Sequence, residues 1–182
     1  MADASPCLAV ISQRACCRRF LATPIPGEVL DTLLEAALRA PSAGNLQAWR
    51  VLAVRSAEGR TALAKAALGQ AHVAEAPVVF AICAVPERSA RRYGDRGRSL
   101  YALQDTAALA TTLLLAAEAL GLGACWVGAF DEDRVARVLA LPPDERPVAL
   151  LPVGLRAEVP RGRTPRRPVA EVVTWVDDPA GR

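Results

Sequence analysis

Residues 100–120, LYALQDTAALATTLLLAAEAL, decide the fold of this 182-residue chain. The run is compatible with one long helix, and Gly121 and Gly123 follow it, where helix C-termini commonly stop. It is rich in Ala and Leu nearly all the way round. A helix of that kind must be covered on most sides, so it belongs at the centre of the molecule or against a second subunit.

Working outward, residues 8–19 read as a first helix with a basic C-terminal end, closed by the turn-prone TPIPG at 23–27. A second helix starts near Glu28. In it Leu30, Leu33, Leu34, Ala37 and Leu38 recur at helical spacing, and Pro41 ends it before the loop Ser42, Ala43, Gly44, Asn45. A strand at 50–54 and a short helix at 57–68 come next. Pro77 then introduces VVFAICA at 78–84, apolar on both faces and therefore central in a sheet. The polar, arginine-rich 87–98 reads as a loop. Beyond the long helix, strands at 124–130 and 148–155 bracket a short helix at 133–139. Residues 156–168 are dense in Pro, Arg and Gly and read as an extended arm, leading to a strand at 172–176 that needs a distant edge to pair with. Helices and strands come in mixed blocks. This points to an α+β fold, one domain over 1–182 with 156–182 as a C-terminal arm.

An apolar content of 52% sustains a packed core and excludes a disordered chain. The net charge of +3 demands no polyanionic partner, and every cation except Lys65 is an arginine. Cys7, Cys16, Cys17, Cys83 and Cys125 are odd in number and lack C-x-x-C spacing, which suits a reducing cytoplasm. The start, MADASPCLAV, has no basic region followed by an apolar core, so no secretory signal is expected. The most apolar stretch, 107–117, is shorter than the ~20 residues of a membrane span. A soluble protein with no membrane partner is expected.

His72 is the sole histidine, with no serine nucleophile motif nearby and no second imidazole, so neither a hydrolytic constellation nor a metal site is expected and His72 reads as structural. No G-x-G-x-x-G surrounds Gly121, Gly123 and Gly128, and no phosphate-cradling G-x-x-x-x-G-K-[ST] exists. Two anion- and amide-rich segments remain. Arg14 and Arg18 are four apart; on one helical face they would clamp a phosphate, or they are two solvated surface arginines. The loop at 41–49 offers Ser42, Asn45 and Gln47 to a polar planar ligand, or is an ordinary Asn-containing turn.

Taken in order, RACCRRF (14–20), PIPGEVLDTLLEAALRAPSAGNLQAWRVLAV (24–54), LGLGACWVGAFDEDRV (120–135), RPVALLPVGL (146–155) and RRPVAEVV (166–173) strongly resemble the nitroreductase family. The resemblance runs from Arg14 to Val173. It implies a nitroreductase-like mixed sheet flanked by helices, an intertwined homodimer with exchange of the C-terminal arm, and FMN between the subunits. NADPH or NADH would be the reductant, and a small electrophile such as a nitroaromatic, a quinone or a flavin the electron acceptor, in a ping-pong cycle that needs no catalytic side chain.

Residue by residue, the resemblance implies that Arg14, Ala15, Cys16 and Arg18 surround the FMN phosphate and ribityl chain. Ala15 and Cys16 stand where a basic residue and a serine are common, so one cation and one hydroxyl donor are lost. Ser42, Asn45 and Gln47 match the loop that contacts the ribityl chain and ring edge, with Ala48 in place of the usual proline. Val127 and Gly128 match the backbone along the flavin's reactive edge, where an amide N–H tunes the ring; a glycine there also permits close strand packing. Arg166 matches the last phosphate-contacting cation, with Arg163 and Arg167 as neighbouring alternatives. Tyr101 and Gln104 could face the site across the interface, or Gln104 and Asp105 only cap the helix. Cys16 and Cys125 read as packing residues. Two other readings stand beside this one: a specialised flavin enzyme of the same superfamily (a dehydrogenase, a dehalogenase or a flavin-fragmenting type), and a non-enzymatic scaffold whose 156–167 arm binds polyanions. Against the scaffold, only 4% of residues are aromatic and none interleave with those arginines, so no nucleic-acid partner is expected.

Overall fold

A computed structural model describes residues 5–158 and 164–176. Four strands, β1 (Trp49–Val54), β2 (Val78–Ala84), β3 (Gly123–Ala124) and β4 (Arg146–Gly154), form one sheet in the order β1-β2-β4-β3. All three pairings are antiparallel. The expected nitroreductase-like sheet is present; among the described residues its parallel pairing is the single bridge between Cys16 and Ala124. Apolar periodicity fixes which faces of a strand are buried, and says nothing about the direction of its neighbour.

Every residue of β2 is buried, because helices cover both faces. Val78, Phe80 and Ile82 point towards α2 (Gly27–Ala37) and α6 (Ala102–Ala119), packing with Leu30, Leu33, Leu109, Leu113 and Ala117. Val79 and Ala81 point the other way, onto Leu63 and Ala67 beside α3 (Ala57–Ala66), Val73 of α4 (Ala71–Glu75) and Val135 of α7 (Glu132–Val138). This period of two, with apolar partners on each side, explains the continuous hydrophobic run. The stretch 86–119 is long and apolar enough by composition to cross a membrane. Here its apolar part, α6, is the helix on which the sheet rests.

Three segments depart from the sequence expectation. Helix α1 (Pro6–Gln13) stops well before residue 19, and residues 14–20 run extended along β3: the Cys17 N–H donates to the Ala124 carbonyl (2.9 Å) and Leu21 to Leu155 (2.9 Å). Residues 87–98 are not a loop. They form α5 (Pro86–Arg96), opened by Pro86 at its first position and Glu87 in its first turn and kinked at the non-helical Gly94, and a π-helical turn (Gly97–Tyr101) joins it to α6. Arginine, alanine and glutamate are good helix formers, so polarity alone did not exclude a helix. Finally, the strand expected at 124–130 shrinks to Gly123–Ala124 plus one bridge from Val127 to Leu150.

The C-terminal stretch 164–176 carries a short helix, α8 (Val169–Val172), and no strand; each of these residues is exposed, Trp175 to 80%. A strand at 172–176 requires an edge, and none of the described strand edges pairs with it.

Candidate active site

The residues singled out in the sequence fall into two groups. The first lies where residues 14–18 run beside β3. Arg14 and Ala15 are half-buried, and Cys16 and Arg18 are exposed. Because the segment is extended, Arg14 and Arg18 do not share a helical face; they flank the Cys16 thiol from either side in sequence. Hydrogen bonding from Cys125 holds the Cys16 thiol down to about 5 against the opposing effect of burial, helped by the Trp126 backbone and the Arg14 guanidinium. Cys125 is pushed up correspondingly, by that same hydrogen bond and by its burial. His72, buried on α4, is held below its ordinary value by burial and then by the Arg18 charge, with Glu75 and Cys16 opposing. In both, the arginine charge is a lesser contribution, behind hydrogen bonding at Cys16 and behind burial at His72. Cys16, read from sequence as a packing residue, is exposed instead.

On the same sheet edge, Val127 exchanges both backbone hydrogen bonds with Leu150 at 2.9 Å, so its N–H is committed. Gly128, next in the chain, is exposed.

The second group is the loop at 42–47. Ser42 Oγ accepts the Gln47 N–H at 3.0 Å, and Gly44, Asn45 and Gln47 have φ of 56°, 55° and 48°. Asparagine tolerates that left-handed conformation and glycine prefers it, which is why the loop's sequence permits so tight a bend. It leaves Asn45 exposed, and four outside side chains surround the loop. Asp105 Oδ1 accepts the Ala43 N–H at 2.9 Å. Arg88 Nη1 donates to the Gln47 carbonyl at 2.7 Å and to that of Trp49 at 3.3 Å. Tyr93 and Arg92 close over Gly44, where a methyl group would meet the Tyr93 hydroxyl at 2.5 Å.

Asp105 does not cap α6, as one sequence reading had it. The helical chain continues through the turn at Gly97–Tyr101, and the carboxylate reaches out to the loop. Sequence reasoning missed Asp105 and Arg88 as loop anchors; a lone carboxylate inside the apolar α6 run was the available signal.

These two groups lie at opposite edges of the sheet. Trp49 begins β1 and is in register with Ala84 and Arg146, whereas Ala124 pairs with Val153 at the far end of β4. Three inter-strand steps and about seven residues of strand separate them by roughly 25 Å. One chain thus does not bring 14–18 and 42–47 together. Arg166 is exposed and, among the described residues, donates only to its own neighbours, Thr164 (2.8 Å) and Pro165 (3.4 Å). Arg167 is likewise exposed, and Arg163 lies outside the described residues.

The Nitroreductase family model matches residues 11–78 and 65–155, which takes in both groups, the sheet and the long helix. The chain belongs to the nitroreductase family. Membership makes it an oxidoreductase by class. Among relatives of this family member, an NADH dehydrogenase of Thermus thermophilus is 37% identical over 191 residues, covering 90% of this chain and 92% of the relative. Among solved structures, the NADPH:FMN oxidoreductase from Vibrio harveyi, complexed with NAD+, superposes with a TM-score of 0.86 at 28% identity, covering 98% of this chain and 80% of the other. NfrA2 of B. megaterium superposes at 0.87 with 26% identity, covering 97% and 76%.

Proposed function

We propose that this nitroreductase-family chain is an FMN-dependent oxidoreductase of the reducing cytoplasm, working as a homodimer that draws reducing equivalents from NADH or NADPH and delivers them to a small electrophile such as a nitroaromatic, a quinone or a flavin. The observation that carries the proposal is the separation just described. One positive, phosphate-suited group and one amide-rich group stand at opposite sheet edges, so a single mononucleotide reaches both only where two copies of the chain meet.

The donor set fits FMN. The Arg14 and Arg18 guanidinium groups, which contribute to the lowered Cys16 and His72 values, supply positive charge that stabilises a phosphate. Arg14, Arg18 and the backbone at Ala15 and Cys16 would hold that phosphate, and Arg166 would add a cation from the arm. Gly128 would present its free N–H to the ring. Ser42, Asn45 and Gln47 of the partner copy would face the ribityl chain and ring edge, the asparagine and glutamine offering both donors and acceptors.

FMN, when bound, supplies the redox chemistry, exchanging a hydride equivalent with the nicotinamide and then with the acceptor in ping-pong order. The chain's residues bind and orient. Guanidinium groups neutralise the phosphate, the 42–47 loop is held rigid by Asp105 and Arg88, and the exposed apolar residues Val172, Val173, Trp175 and Val176 find cover on the partner as an exchanged arm.

The test is the visible spectrum of the purified protein, with release and identification of the chromophore, followed by NADPH oxidation in the presence of a quinone. Yellow protein that turns over supports the reading. Colourless protein that takes up no added FMN overturns it.

A further inference from the structure

Helix α5 and the turn after it carry Arg88, Arg91, Arg92, Arg96 and Arg98 within eleven residues, against only Glu87 and Asp95. The arginines are not equivalent. Arg88 is committed to backbone carbonyls, and Arg98 to Glu87 (2.7 Å) and Asp95 (2.6 Å). Arg92 and Arg96 have no carboxylate partner among the described residues. Each is instead oriented by a tyrosine: Arg92 lies 5.5 Å from the Tyr93 ring centre, and Arg96 lies 5.4 Å from that of Tyr101 while its Nε donates to the Tyr101 hydroxyl at 2.9 Å. The two rings pack edge to face, 5.2 Å apart. The four side chains are therefore one preoriented unit, and it sits beside the 42–47 loop: a methyl group on Gly44 would run into both Arg92 Nη1 and the Tyr93 hydroxyl.

We propose that Arg92 and Arg96, held by Tyr93 and Tyr101, form an anion subsite at the rim of the active site that selects planar aromatic electron acceptors carrying a carboxylate or sulfonate. The proposal rests on the flavin reading for its place beside the ring, and on α5 alone for its binding chemistry. Two guanidinium groups on either side of the non-helical Gly94, uncompensated among the described residues and each lying over an aromatic ring, offer charge-assisted hydrogen bonds to an anion and a flat surface to the ring that bears it. The same groups offer a neutral acceptor only the flat surface. Selectivity arises from that difference.

The experiment measures binding of 2-naphthalenesulfonate and of 2-naphthol by calorimetry, to the protein with and without added FMN. Alongside it, kcat/KM is compared for 4-nitrobenzoate and 4-nitrobenzyl alcohol. The wild type is expected to prefer the sulfonate by about tenfold, the scale of one charge-assisted hydrogen bond, with the preference shrinking as salt rises. In Arg92→Gln/Arg96→Gln both the binding preference and the nitrobenzoate to nitrobenzyl alcohol ratio fall several-fold, while Arg91→Gln, which removes the same charge from the same helix, leaves both ratios in place. Equal affinity for the two naphthalenes, retention of the preference in the double variant, or an equal loss in Arg91→Gln overturns the proposal. A double variant that changes only the ratio of NADPH to NADH turnover overturns it too, assigning the arginines to the reductant's phosphate. Failure of FMN to bind or turn over sinks the flavin reading instead, and leaves the sulfonate preference readable in its own right.

Discussion

Asp105 Oδ1 accepts the Ala43 backbone N–H at 2.9 Å, joining the long central helix to a loop 62 positions earlier in the chain. The carboxylate is only 4% exposed, so it was placed among apolar neighbours for this contact and not for solubility. Removing it in Asp105→Ala leaves a donor without its acceptor, an effect on the order of 1–3 kcal/mol. The expected outcome is a loss of FMN affinity of about tenfold, measured by quenching of flavin fluorescence. Asp105→Asn keeps an acceptor oxygen at the same place and is expected to recover most of the affinity. Equal losses in both variants would show that the charge, and not the hydrogen bond, is what the loop needs.

Cys16 stands at the point where the phosphate is proposed to bind, and a thiolate there opposes a second anion. Cys16→Ser removes the negative charge and supplies a hydroxyl donor, so FMN is expected to bind several-fold more tightly. In cofactor-free protein, alkylation of Cys16 by iodoacetamide is expected to persist as pH falls and to decline only near about 5, since hydrogen bonding from Cys125 favours the thiolate. Cys125→Ala is expected to move that midpoint upwards. Added FMN is expected to protect the thiol; full reactivity with FMN bound would separate Cys16 from the phosphate site.

His72 gives the fold a pH dependence whose sign is fixed by its surroundings. Burial and the Arg18 charge hold the folded-state value below the ordinary 6.5, so at mildly acid pH the unfolded chain binds a proton that the folded chain does not. The imidazole's contribution to stability is thus expected to be fully retained above about 6.5 and to fall as pH drops below it, by no more than about 1.4 kcal/mol per pH unit for one proton. The lowered Cys16 value acts in the same direction, so urea unfolding of His72→Gln against wild type between pH 7.5 and 5 isolates the imidazole. The variant is expected to show the shallower slope.

Val172, Val173, Trp175 and Val176 are all exposed. Truncation after Glu158 is expected to weaken the dimer and reduce FMN retention together, as read by sedimentation velocity and by flavin content. A truncated protein that stays dimeric and yellow would remove the arm from the interface.

Much of this molecule was legible before any coordinates. Strict helical spacing from Leu30 to Leu38 gave α2, the doubly apolar run at 78–84 gave the central strand, and Gly121, with φ of 72°, marks the end of α6 as expected. The tight 42–47 loop was legible too, because the amino acids that tolerate positive φ are few and Gly44 and Asn45 are among them.

By itself, then, the sequence determined the layers, the turns and the family, since each is written in local spacing or in short runs of neighbouring residues. Only the tertiary structure decided that residues 14–20 leave the helix, because the Cys17 N–H finds the Ala124 carbonyl more than a hundred positions away and no local pattern encodes that partner. It alone decided strand direction, the role of Asp105, and the placing of the two ligand-suited groups at opposite sheet edges. Spacing along a chain records which side of an element is buried. Which distant group it is buried against is settled only when the whole chain packs.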